Sequence, residues 1–194
     1  VVGFFTNRWQ RPARVADYLR YERVCLKPLS DLEQKDWKRV QAHFRDSEIS
    51  YLNGTPPNRM PLWFLKRLLK ADSRRPDRAT YGIYDERNEY IGTIELYDIR
   101  YDVATLGIII GEKTHWSKGY GPEAIEALLS YAFNKLNLER VKLNTFSDNI
   151  RAQAAFKKLG FTELRRVSAG SGRIDIQMDV QKTVWLERQA IRRG

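Results

Sequence analysis

Cysteine occurs once in this chain, at Cys25, so no internal disulfide can form. A reducing, cytoplasmic setting is the expectation that follows. Histidine occurs twice, at His43 and His115. Two separated histidines and one cysteine give no metal-ligand cluster, and no structural metal is expected. No apolar run approaches the roughly 18 residues that a membrane-spanning helix needs. The opening Val1-Val2-Gly3-Phe4-Phe5 runs at once into Arg8, Arg11 and Arg14, too short an apolar stretch for a secretory signal. Internal repeats, long polar tracts and interdomain linkers are also absent. What is left is a chain of 194 residues, long enough for one domain with its own core.

Positive charge is in excess: 34 basic against 24 acidic residues, a net of +10. Such a field suits a phosphorylated cofactor, an acidic protein surface or RNA, and equally a solvated surface with no partner. No RNA-recognition signature accompanies it, so nucleic acid is not the expected ligand. A polycationic substrate would have to enter against this field.

The chain reads as alternating strand and helix signals. Residues 1–20 form an extension whose Phe4, Phe5, Trp9 and Tyr18 suggest a docked arm. Residues 24–29 read as a first strand. Ser30-Asp31-Leu32-Glu33 is the pattern of a capping box, and Leu32, Trp37, Val40 and Phe44 give one apolar helix face. Asn53-Gly54-Thr55-Pro56-Pro57 breaks the chain before a second helix opened by Pro61. Segments 80–84 and 90–99 read as strands, as do 161–167 and 174–180. Residues 183–194 are expected as a basic helix or tail, leaving 21–182 as the domain.

The most informative stretch is 106–161. Leu106-Gly107-Ile108-Ile109-Ile110 is a short apolar run of the kind found in buried strands. Ile125, Leu128, Leu129, Ala132, Phe133 and Leu136 recur at helical spacing. Between them lies Trp116-Ser117-Lys118-Gly119-Tyr120-Gly121-Pro122-Glu123-Ala124. Pro122 suits the first helical position and Glu123 the positive end of the helix dipole. Gly119 and Gly121 let successive N–H groups of 117–121 converge on an anion, for which a pyrophosphate is the natural guest. A tight turn with no ligand would carry the same residues. A further strand follows with Val141, Leu143 and Thr145. Asp148 and Asn149 then open a short helix that Gly160 closes.

In sum, Ile108-Ile109-Ile110-Gly111, the glycine loop 116–124, Asn149-Ile150-Arg151-Ala152 and Lys158-Leu159-Gly160-Phe161 resemble the GNAT superfamily of acetyl-CoA-dependent N-acetyltransferases. The likeness is greatest to its ribosomal-protein-alanine and spermidine acetyltransferase branch. It is specific over 104–161 and extends, by order of elements, over 23–180. The resemblance implies an α/β (α+β) fold, a mixed, largely antiparallel sheet flanked by helices and splayed at the acetyl-CoA site. It implies a pantetheine arm beside Ile108, Ile109 and Ile110, and a pyrophosphate on Trp116, Ser117, Lys118, Gly119, Tyr120, Gly121 and Pro122. Asn149, Phe156 and Lys158 would approach the cofactor from the second helix. Asn149 also reads as a helix cap, and Lys158 equally as a lysine complementing a helix C-terminus. The loop 50–60 would overhang the acceptor.

The chain departs from the family pattern in three places. Trp116 stands where the general pattern has Gln or Arg, although Trp is common in the branch that the chain resembles. Thr105 and Phe156 stand where many members carry a glutamate and a tyrosine for proton transfer. A local replacement can be read from strand alternation. With Tyr97 opposite Thr105, Glu95 falls opposite Gly107, on the polar face of a hairpin whose other face holds Ile94, Leu96, Leu106, Ile108 and Ile110. Glu95 is then the candidate general base and Tyr97 the residue that orients the acceptor or donates a proton, unless Glu95 is simply a solvent-facing residue. The expected activity is acetyl transfer from acetyl-CoA to a primary amine, with a peptide or protein N-terminus ahead of a small molecule. The alternative is a CoA-binding protein without catalysis that binds a protein or ribosomal RNA. Aromatic-rich termini are compatible with a homodimer.

Overall fold

The computed structural model describes residues 18–170 and 172–193. The expected aromatic arm at Phe4, Phe5 and Trp9 lies outside them. Strands β1 (Leu19–Tyr21), β2 (Val24–Pro28), β3 (Ala79–Tyr84), β4 (Tyr90–Arg100), β5 (Val103–Ile110), β6 (Arg140–Phe146), β7 (Thr162–Ser168) and β8 (Ile174–Gln181) form one eight-stranded sheet. The order is β1-β2-β3-β4-β5-β6-β8-β7, and every pairing is antiparallel except β5 with β6. The sheet begins at Leu19, inside the stretch expected as an extension.

Strand alternation divides the core in two. Val24, Leu26, Ile94, Leu96 and Leu106 pack under α4 (Tyr120–Asn134), with α5 (Ile150–Lys158) and Trp185 of α6 (Lys182–Arg193) closing the same layer. Cys25, Tyr84 and Tyr90 belong to the other layer, against Trp37 and Val40 of α1 (Gln34–Arg45) and Leu65 of α3 (Leu62–Asp72). Ala124, Ile125, Leu128, Leu129, Ala132 and Phe133 of α4 are all at most 1% exposed. Each large side chain so buried stabilises the fold by about 1.5–3 kcal/mol.

The expected hairpin register is present: Glu95 pairs with Gly107 and Tyr97 with Thr105. Two local expectations give way. The capping box is not Ser30 with Glu33, because residues 29–31 form a 3-10 turn. Glu33 itself caps α1, reciprocally with Asp36, whose Oδ2 accepts from the Glu33 N–H at 2.9 Å. The start of the expected loop 50–60 is also helical, in α2 (Ser47–Leu52). Its N-cap is Asp46, which accepts from the N–H groups of Glu48 and Ile49 at 2.9 and 3.0 Å. The expected C-terminal helix or tail is a helix docked on the body. Glu126, on α4 and 2% exposed, accepts from Trp185, Gln189 and Arg192 at 2.9, 3.0 and 2.6 Å.

Candidate functional site

β5 and β6 pair only between Val103–Thr105 and Arg140–Lys142. Beyond Thr105 they part, β5 staying with β4 and β6 with β8. A cavity of about 660 Å³ opens at this parting. Ile108, Ile109 and Ile110 line it from β5, and Asn149, Phe156 and Lys158 line it from α5. Trp116, Ser117, Gly119, Gly121 and Pro122 form its glycine-loop wall.

The loop is held open by backbone conformation. Ser117 and Gly119 have φ of 60° and 96°, and Gly119 is the N-cap of α4. The helix therefore starts at Tyr120, and Pro122 is its third residue rather than its first. Pro122 is still within the first turn, where a missing N–H costs nothing. The N–H of Glu123 is the first to reach back within the helix, to the Gly119 carbonyl at 3.1 Å. Those ahead of it are the unsatisfied donors that make a helix N-terminus an anion site.

Two of the expected cofactor contacts are not part of this wall. Lys118 and Tyr120 do not line the cavity. Tyr120 is buried and its hydroxyl donates to Glu86 at 2.9 Å. Arg23 braces the loop from behind: it donates to the Lys118 carbonyl at 2.8 Å, pairs with Glu123, and lies 4.4 Å over the Tyr120 ring. Arg23 and Tyr120 thus brace the loop through its neighbours. Asn149 is a helix cap that also borders the cavity; its Oδ1 accepts from the Ala152 N–H at 3.2 Å.

Sequence reasoning missed the cavity's roof and one cation. Ile49, Leu52 and Asn53 from α2 and its end complete the lining. α2 is fastened across the parting by Tyr51, whose hydroxyl donates to Asp148 at 2.7 Å. Arg173 binds the same carboxylate at 2.8 Å and lies 3.6 Å over the Phe146 ring. The missed cation is Arg151, a cavity-lining residue on α5, stacked 3.7 Å above the Trp116 ring.

Glu95 and Tyr97 do not line the cavity. They stand beside it, on the sheet face that carries Gly107 and, two residues further, the cavity-lining Ile109. Glu95 Oε2 accepts from Arg78 at 2.8 Å and from Thr80 at 3.2 Å. Burial raises the Glu95 pKa above the ordinary glutamate value, against the opposing pull of Arg78. Burial also raises that of Tyr97, with the Glu95 charge adding to it. The Glu95 side chain is 25% exposed and paired with Arg78. Phe156 is 5% exposed and packs edge-on against Phe161, with no proton to give.

Comparison with known proteins gives one consistent result. The profile of the acetyltransferase (GNAT) domain family matches residues 23–162. An uncharacterized N-acetyltransferase p20 of Bacillus licheniformis is 32% identical over 102 residues, which are 50% of this chain and 57% of that protein. An N-acetyltransferase 9-like protein of Caenorhabditis briggsae is 28% identical over 148 residues, covering 70% of this chain and 72% of that one. The chain thus spans between about half and three quarters of these relatives' length. Among solved structures, spermidine N-acetyltransferase from Vibrio cholerae, in complex with CoA and spermine, superposes with a TM-score of 0.74. That match has 22% identity and covers 84% of this chain and 98% of the other, a likeness of fold.

Proposed function

The chain belongs to the acetyltransferase (GNAT) family of acetyl-CoA-dependent N-acetyltransferases, and from that premise we propose that it moves acetyl from acetyl-CoA to a primary amine with Glu95 as general base. The observation that carries the reading is the cavity at the β5–β6 parting, where an apolar strand, a glycine loop at a helix N-terminus and Asn149 meet. Bound there, acetyl-CoA supplies an activated thioester acyl group. The residues fit it: Ile108, Ile109 and Ile110 offer apolar side chains and strand backbone to a pantetheine arm. The loop N–H groups suit a pyrophosphate.

Glu95 accepts the proton that the attacking amine must lose, directly or through water. Its raised pKa makes it a better base than an ordinary glutamate, and Arg78 keeps it from rising further. Tyr97, two residues along the same strand face, orients the acceptor. Thr105 and Phe156 take no part in proton transfer. An acceptor of low pKa fits a site with this little acid–base equipment, and a protein N-terminus, at about 8, is one. Exposed Trp63, Phe64 and Leu68 on α3 favour an acceptor carried on a polypeptide. A small cationic amine, as in the spermine complex of the structural neighbour, is the second choice. The free, buried Cys25 is in keeping with a cytoplasmic location.

The test is steady-state acetylation of N-terminal peptides and of spermidine by wild type and Glu95→Gln. The expected result is turnover of a peptide that the variant loses at neutral pH with CoA affinity intact. Equal kcat/KM in the two proteins removes Glu95 as base. CoA binding without turnover of any amine removes the enzymatic reading.

A further inference from the structure

The glycine loop is short of cationic side chains that face the cavity. Lys118 is not among the residues that line the cavity. Arg23 is committed to Glu123 and to the Lys118 carbonyl. Lys113, just ahead of the loop, bridges Asp46 and Glu48 at 2.9 and 2.7 Å. A pyrophosphate carries two negative charges at neutral pH, and backbone N–H groups offer it only partial charges.

Trp116 supplies what the loop lacks, through a partner from another element. Its indole N–H donates to the Ile110 carbonyl at 2.7 Å, which pins the ring across the end of β5. The Arg151 guanidinium then lies 3.7 Å over that ring. Both residues line the cavity beside Ser117, Gly119 and Gly121. A guanidinium stacked on an indole is held in one plane while its edge donors stay free. Among the described contacts Arg151 has no ion pair and no hydrogen bond, whereas Arg23, Arg78 and Arg173 each hold a carboxylate. Desolvation without a nearby carboxylate lowers its pKa from the ordinary arginine value, with Glu48 opposing from a distance. Arg151 is exposed, but it lies over the Trp116 ring at the cavity wall, and its unused donors can meet an anion that enters there.

We propose that Arg151, lying over the Trp116 ring, is a side-chain cation that receives the cofactor's pyrophosphate, acting with the N–H groups of the glycine loop. The proposal rests on the reading of the cavity as the acetyl-CoA site. Trp116 is then a platform: it fixes a guanidinium from α5 beside the loop at whose head it stands.

Calorimetric titration with CoA and with 3′-dephospho-CoA tests this, using wild type, Arg151→Ala, Arg151→Lys and Trp116→Leu. Thermal melts run beside it confirm that each variant is folded. Arg151→Ala is expected to weaken both ligands equally, by about tenfold or more, with an unchanged melting temperature. Arg151→Lys recovers only part of the loss, because a lysine neither stacks flat nor presents a fork. Trp116→Leu reproduces most of it. Unchanged CoA affinity in Arg151→Ala overturns the proposal. So does a loss seen with CoA but not with 3′-dephospho-CoA, which would assign the contact to the 3′-phosphate. Failure of wild type to bind either ligand fails the acetyl-CoA reading itself, a result distinct from both.

Discussion

Glu95 and Gly107 face each other across the β4–β5 ladder, and a Cβ placed on Gly107 would lie 3.5 Å from Glu95 Cγ and Oε1. That is ordinary contact distance, and Tyr97 is next nearest at 3.6 Å. The glycine therefore leaves room over the carboxylate for about one methyl group.

Gly107→Ala should fold normally. Its melting temperature should be unchanged or slightly higher, since alanine restricts the unfolded chain by about 0.4–1 kcal/mol. The methyl group would stand where an acceptor amine must approach Glu95. kcat/KM for the acceptor should fall about tenfold, or ~1.4 kcal/mol in the barrier, while CoA affinity measured by titration stays the same. Full activity in the alanine variant would show that the acceptor does not approach over Gly107.

Arg78 divides itself between Asp72 at 2.7 Å and Glu95 at 2.8 Å. It holds the Glu95 pKa down against burial. A base works only when deprotonated, so kcat/KM should rise with pH through the Glu95 ionisation, above the usual glutamate range of about 4.3. Removing the cation in Arg78→Met should move that rising limb to higher pH. Activity on the acid side of the profile should fall and then recover on alkalinisation. A limb that stays in place would mean that the kinetic ionisation belongs to another group.

Glu126 is the acceptor on which α6 converges, and its ion pair with Arg192 is 2% exposed on the carboxylate side. Glu126→Gln keeps the shape but discards the charge and one acceptor's strength. It should destabilise the protein by ~2 kcal/mol. Thermal denaturation should show this as a fall of roughly 4–8 °C, with earlier tryptic cleavage of α6 around Arg188. An unchanged melting curve would make the cluster an ornament of the surface.

Much of this was legible in the sequence, and for identifiable reasons. The β4–β5 register could be read because a one-residue slip would have put Ile94 and Leu96 among polar side chains. The glycine loop could be read because Gly119 does need a positive φ. Other features were hidden. α2 is only six residues long, too short to show a period, and Asp46 was the one sign of it. Glu126 interrupts an apolar helix face, and nothing local says that its partners arrive from a helix some 60 residues later. Trp116 and Arg151 are likewise distant in sequence. A loop tryptophan looks like a substitution and a helix arginine like a surface charge until the fold stacks them.

The short β5–β6 seam has a consequence for how such a site is assembled. Three residue pairs join strands β1–β5 to strands β6–β8 within the sheet. Ile108, Ile109 and Ile110 stand on one bank of that gap, Asn149 and Phe156 on the other. A molecule lying in the gap touches both banks, in the place that further β5–β6 pairing would occupy.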